Sequence, residues 1–106
     1  MTGLEAGACA FHDVPAVILV FDNGGYGTQR PILDGPFNDI PAMAVDRLCE
    51  VFGRGLGFDV TSERELDEAL TAAFSSNELC IVRIRLPRDG RSAALSRLGA
   101  ALAARA

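Results

Sequence analysis

The run Ala16-Val-Ile-Leu-Val-Phe21 constrains the fold more than any other stretch of this sequence. It is apolar throughout, rich in β-branched residues, and bounded by Pro15 and by the turn-forming Asp22-Asn-Gly-Gly25. An unbroken apolar run between turn signals is the pattern of a strand covered on both faces, the situation in parallel sheets flanked by helices. It is far too short for a bilayer, which needs about 20 apolar residues. Residues 16–21 are therefore expected to form the central strand of a mostly parallel α/β sheet.

The flanking segments fit that architecture. Leu4, Ala8 and Phe11 fall at helical spacing, and Asp13 and Pro15 forbid continuation, so a short amphipathic helix is predicted from Thr2 to Phe11. A helix near Met43 to Phe52 and a short strand at Phe58-Asp-Val60 follow. Ser62-Glu-Arg-Glu65 has capping-box spacing and precedes Leu66, Leu70, Ala73 and Phe74, which predicts a helix from about Glu63 to Phe74 with those four on its core face. In the strand predicted over Cys80 to Leu86, Arg83 and Arg85 alternate with Val82, Ile84 and Leu86, which places it near a sheet edge with one wet face. Leu95, Leu98 and Leu102 stripe a C-terminal helix.

Alternating helices and strands predict three layers, a mostly parallel sheet with helices on both faces and right-handed crossovers. With 106 residues, the chain is expected to form one domain over 1–106, burying roughly 65% of its unfolded surface. A parallel sheet ordinarily supplies a strand before the first helix, so the fold is expected to be truncated at its N-terminus.

Composition narrows the function. Apolar residues at 49% against 23% charged suit a folded domain, and a net charge of -4 with scattered arginines argues against nucleic acid as a partner. Cys9, Cys49 and Cys80 form no CxxC pair and have only His12 for company, which disfavours a disulfide framework or a zinc site. The N-terminus lacks the basic start of a signal peptide, and no apolar run is long enough for a membrane span; a cytoplasmic protein is expected.

The informative stretch is Asp22-Asn-Gly-Gly-Tyr-Gly-Thr-Gln-Arg30, directly after the apolar strand. Ligands of open α/β sheets sit beyond the carboxyl ends of strands. Glycines at 24, 25 and 27 allow close backbone approach, Asn23 offers a neutral oxygen suited to a hard cation such as magnesium, and the residues beyond are expected to open a helix whose free amides face phosphate. Composition alone equally accommodates a glycine-rich turn with no ligand, the commoner case. A dinucleotide fingerprint starting at Gly25 would need glycine where Arg30 stands, and a calcium loop from Asp22 would need oxygen donors at Gly24 and Tyr26.

Val17-Ile-Leu-Val-Phe-Asp-Asn-Gly-Gly-Tyr-Gly-Thr28 resembles the second half of the thiamine diphosphate motif, which opens with Gly-Asp-Gly and closes a strand, helix and strand later with Asn-Asn. Met1-Thr-Gly-Leu-Glu5 resembles the helix after the Gly-Asp-Gly loop. Leu33-Asp-Gly-Pro-Phe-Asn-Asp-Ile40 resembles the stretch that follows the motif in pyruvate and indolepyruvate decarboxylases. The three matches keep the family's order from Met1 to about Leu86.

The resemblance implies a C-terminal thiamine diphosphate-binding domain of a 2-keto-acid decarboxylase, a lyase that releases an aldehyde. It implies that Asn23 gives its side-chain oxygen and Gly25 its backbone carbonyl to magnesium, and that Tyr26, Gly27 and Thr28 line the diphosphate. The cofactor ring would store the electrons released with carbon dioxide. The remaining domains of the same enzyme are the implied partners, in a homodimer or homotetramer whose N-terminal domain supplies an activating glutamate. Neither that glutamate nor the Gly-Asp-Gly aspartate lies in this chain, so the fragment alone is expected to be inactive.

Two positions depart from the pattern: Asp22 replaces the first asparagine of the Asn-Asn pair, and Gln29 stands where pyruvate decarboxylases carry a glutamate facing the reacting carbon. Gln29 is thus the implied catalytic position. The alternatives are an acetolactate synthase-like or benzoylformate decarboxylase-like enzyme and a non-catalytic α/β dimerisation fragment. Leu33 to Ile40 favours the decarboxylase. Of the other polar residues, His12 reads as a surface or capping residue, Cys9 as packing, Arg30 as a solvated helix-end cation, and Asp34 and Asp39 as turn and dipole residues.

Overall fold

A computed structural model describes residues 3–105. Met1 and Thr2, the start of the expected first helix and of the segment matched to the cofactor motif, lie outside the described residues. The chain divides into two compact units, one made of Met1–Phe21 with Met43–Arg85, the other of Asp22–Ala42 with Leu86–Ala106.

The first unit holds strands β1 (Val17–Asp22, its last residue entering the second unit), β2 (Leu56–Val60) and β3 (Cys80–Arg85), in the order β1-β3-β2. β2 and β3 are parallel, with Leu56 opposite Cys80 and Val60 opposite Ile84. The Cys80 amide donates to the Ala16 carbonyl and the Leu86 amide to the Asp22 carbonyl, both at 2.8 Å. These bonds advance equally along the two segments, so β1 and β3 also run in one direction.

Helices α1 (Gly7–Phe11) and α2 (Leu48–Phe52) supply Ala10 and Cys49 to one core cluster, where they meet Leu79 and Ile81, with Ile18 and Val20 of β1 against it. Helix α3 (Glu63–Ser76) covers the opposite face: Ala69 joins Val60, Val82 and Ile84, with Val17 and Phe58 alongside. Helices on both faces make three layers, as the alternation of elements requires.

Two expectations about the sheet are corrected by the structure. β3, not β1, is the middle strand: Cys80 to Ile84 are all buried, whereas Leu19 and Phe21 of β1 are exposed. Arg83, expected to be wet, is 6% exposed, and its Nη1 stands 3.9 Å from Asp46 Oδ1. Pairing with a carboxylate from a distant segment admits an arginine to the middle of a sheet, where an unpaired charge would be prohibitive. Only Arg85 at the strand end is exposed, and it grips Asp59 of β2 with Nε and Nη2 at 2.8 and 2.6 Å. This contact holds the Asp59 carboxyl below its ordinary pKa.

The helix faces also differ from those the large apolar residues suggested. Phe11 and Phe74 are exposed, while Ala10 and Ala69 are buried together with the expected Ala73. Small side chains let a helix backbone lie close to a sheet, so the alanines take the contact. The first turn expected as part of one helix is a 3-10 turn over Leu4–Ala6, followed by α1.

The α3 cap forms as its spacing predicts. Ser62 Oγ accepts from the Glu65 amide at 3.2 Å, and Glu65 Oε2 reaches back to the Thr61 amide at 2.7 Å and the Thr61 hydroxyl at 3.1 Å. These donors, the Thr61 amide first, lower the Glu65 pKa. Ser62→Ala should cost about 1 kcal/mol of stability. Urea unfolding would check it, and a midpoint equal to that of the parent would show that the cap contributes nothing.

The second unit contains α4 (Ala93–Ala103), capped by Ser92 Oγ accepting from the Leu95 amide at 3.1 Å. Its buried residue is Gly99, lying against Pro31, and Leu98 and Leu102 are exposed. Among the described residues no helix is long and apolar enough to cross a membrane.

Candidate functional site

The stretch that follows β1 folds as a series of turns doubled back on itself. Asp22 Oδ1 accepts from the Gly24 amide at 3.2 Å, and Asn23 Oδ1 accepts from the Gly25 amide at 3.3 Å. Two successive side-chain-to-backbone bonds of this kind curl the chain as Asp and Asn do in turns. Gly24 takes φ +76°, the left-handed region that glycine enters without strain.

The returning segment closes the other side. The Tyr26 amide donates to the Asn38 carbonyl at 2.8 Å and the Ile40 amide to the Gly24 carbonyl at 2.9 Å, around an antiparallel bridge between Gly25 and Asp39. A Cβ at position 25 would strike the Asn38 carbonyl oxygen and come within 2.5 Å of Arg30 Nη2, so only glycine permits this approach. The bare Gly27 likewise leaves room for the Asn23 carboxamide.

The residues expected to serve cofactor, metal or catalysis, Asn23, Gly25, Tyr26, Gly27, Thr28 and Gln29, thus lie in one short series of turns. Asn23 and Gly25 are directly bonded, while the Tyr26 ring, Thr28 and Gln29 are exposed. The expected helix does not open after Thr28. Instead residues 27–32 form consecutive turns, with the Gln29 amide donating to the Tyr26 carbonyl at 3.0 Å and the Gln29 carbonyl accepting from Ile32 at 2.9 Å and Leu33 at 3.1 Å. Pro31 works against the helix by disfavouring helical backbone at Arg30 before it.

Arg30 is the residue whose setting departs most from expectation. It is not solvated: its side chain is 3% exposed, with Nη1 on Asp34 Oδ1 at 3.0 Å and Nη2 on Asp39 Oδ1 at 2.9 Å and near the Asn38 carbonyl at 3.4 Å. Its Nε is buried without a partner among the described residues. Asp34 and Asp39 are therefore its counter-ions rather than simple turn residues, and Asp39 also receives Arg88 Nη2 at 2.5 Å. Asp39, then Asp34, favours the charged guanidinium and raises the Arg30 pKa further. The Asn38 amide, then Arg30 and the Gly35 amide, holds the Asp34 carboxyl below its ordinary range.

Asn38, buried and donating from Nδ2 to the Leu33 carbonyl at 2.8 Å, is a residue that sequence reasoning missed. The available signal was a single arginine followed by Asp34, Asn38 and Asp39 in a stretch punctuated by Pro31, Gly35 and Pro36, whose turns bring partners back to it. His12 and Cys9 belong to the first unit: His12 is an exposed helix end stacked edge-on with Phe11, and the half-buried Cys9 packs against the core.

The donor chemistry of the turn suits a hard cation. Asn23 Oδ1 and the Gly25 carbonyl are oxygens, each accepting one hydrogen bond within the loop and keeping a second lone pair. Among the described residues no group of three or more His, Cys, Asp or Glu could hold a metal. A cation here would therefore take its remaining oxygens from a phosphate, water or other polypeptide.

Residues 1–84 match the family described as thiamine pyrophosphate enzyme, C-terminal TPP binding domain. Among individual proteins, pyruvate decarboxylase 2 of Zea mays is 34% identical over 95 residues, covering 84% of this chain and 90% of the relative. An alpha-keto-acid decarboxylase of Mycolicibacterium paratuberculosis is 34% identical over 93 residues, and an oxalyl-CoA decarboxylase of Escherichia coli 30% over 89. These two matches cover 83% and 78% of this chain, which spans only 16% of the length of each of those relatives.

Proposed function

Since the chain belongs to the family of C-terminal thiamine pyrophosphate-binding domains, we propose that it forms the diphosphate and magnesium side of the cofactor site in a 2-keto-acid decarboxylase. The observation that carries the reading is the Asn23 to Thr28 turn. It joins two cation-suited oxygens to a run of closely approachable backbone, in the segment that the family match covers. The relatives named as pyruvate and alpha-keto-acid decarboxylases favour the substrate class.

In this reading Asn23 and Gly25 hold magnesium through Oδ1 and the main-chain carbonyl, and Tyr26, Gly27 and Thr28 line the diphosphate. When bound, thiamine diphosphate supplies the ring that takes up the electrons released with carbon dioxide. The chain's own work is to bind and orient. Gln29 can donate or accept a hydrogen bond near the reacting carbon but cannot carry a proton. The enzyme works as a homodimer or homotetramer, with the remaining domains completing the site.

Calorimetric titration of the complete enzyme with thiamine diphosphate, with magnesium present and then chelated, tests the cofactor reading. Saturable, magnesium-dependent binding is expected, and its absence would refute the proposal. Product analysis then sets aldehyde formation from simple 2-keto acids against carbon dioxide release from oxalyl-CoA. Turnover of oxalyl-CoA alone would overturn the substrate class.

A further inference from the structure

We propose that Arg30 is a positioning residue for the cofactor site, clamping the Asn38–Asp39 segment against the turn so that the Gly25 carbonyl and the Tyr26 amide keep their places. The inference rests on the reading of Asn23 and Gly25 as cation-side oxygens given above.

Burial of an arginine is uncommon and costly. Arg30 is 6% exposed overall, and its Nε is left without a hydrogen bond among the described residues. What the burial achieves is geometric. Nη2 lies against the Asn38 carbonyl and Asp39 Oδ1, and Nη1 against Asp34 Oδ1, so one planar group ties two points of the returning segment together. That segment in turn bonds Tyr26 through Asn38 and Gly24 through Ile40, and bridges Gly25 through Asp39. The same Nη2 occupies the space that a side chain at position 25 would need. A displaced guanidinium would free the Asn38–Asp39 segment and, with it, the backbone from Gly24 to Tyr26. Lysine cannot substitute, because its single ammonium lacks the fork that spans both carboxylates.

The test compares Arg30→Lys, Arg30→Met and Asn23→Ala in the complete enzyme. Thiamine diphosphate affinity is titrated by calorimetry at several magnesium concentrations, and melting is followed without cofactor. Both Arg30 variants should bind the cofactor about ten- to a hundredfold more weakly, the usual loss when a partner of a metal ligand is removed. The deficit should widen at low magnesium and shrink at saturating magnesium, a pattern that general loss of stability does not produce. Should Arg30→Met fail to fold, Arg30→Lys decides the matter alone. Parent-like affinity and magnesium dependence in a folded Arg30→Lys, with or without a lower melting temperature, would overturn the positioning role, provided Asn23→Ala is impaired. If Asn23→Ala also binds like the parent, the assignment of the turn as the cation site falls instead.

Discussion

Replacing Asn23 by alanine in the complete enzyme is expected to weaken thiamine diphosphate binding by at least about ten- to a hundredfold at limiting magnesium, while the domain stays folded. Removal of a hydrogen-bonded neighbour of a metal ligand already costs that much, and Asn23 would touch the cation itself. The structural cost is small by comparison. Asn23 is half-buried, and its Oδ1 makes one 3.3 Å bond to the Gly25 amide, a contact of about 1 kcal/mol or less. Asn23→Asp serves as the conservative control: it keeps an oxygen that can both accept from Gly25 and ligate the cation, so it should retain most of the affinity. Titration at a series of magnesium concentrations reads both effects. Equal affinity in Asn23→Ala and the parent at every magnesium level would remove Asn23 from the ligand set.

What could be read from the sequence, and what could not, divides by the distance over which the physics acts. The α3 cap lies within four residues of chain, and the Ser62 and Glu65 side chains do what their spacing dictates. The turn at Asp22 to Gly27 is equally local, since each short polar side chain bonds the amide two residues on.

Sheet order is not local. The apolar run Ala16 to Phe21 reads as more central than an Arg-containing strand, yet β3 lies between its neighbours, with Asp46 beside the buried Arg83. Nothing in the alternation of Arg83 and Arg85 announces a partner from another segment. The same blindness hid the burial of Arg30, whose neutralising carboxylates arrive only when the chain from Asp34 to Asp39 folds back. Helix faces were misread for another reason. Large residues dominate the periodicity, whereas contact with the sheet selects Ala10 and Ala69 beside the expected Ala73 and leaves Phe11 and Phe74 outside.

Gln29→Glu, made in the complete enzyme, is expected to raise aldehyde release from simple 2-keto acids. Glutamine and glutamate have nearly the same shape, and Gln29 is exposed in its turn, with its backbone held by the Tyr26 carbonyl and by the amides of Ile32 and Leu33. The exchange therefore leaves the fold and the turn intact and adds only an ionisable group. In a 2-keto-acid decarboxylase, the carbon that has lost carbon dioxide would need a proton before an aldehyde could leave. A carboxylic acid can deliver one and a carboxamide cannot. General acid-base assistance is typically about 10² to 10⁴ in rate, which bounds the gain. A site without the acid should also divert more of its turnover to hydroxyketones, because slower proton delivery would leave time for reaction with a second carbonyl compound. Steady-state aldehyde formation, coupled to a dehydrogenase, is measured beside hydroxyketone analysis, with cofactor affinity as the control. If aldehyde release is unchanged or lower in Gln29→Glu while cofactor affinity is intact, position 29 has no part in proton transfer, and the exposed glutamine is simply a turn residue.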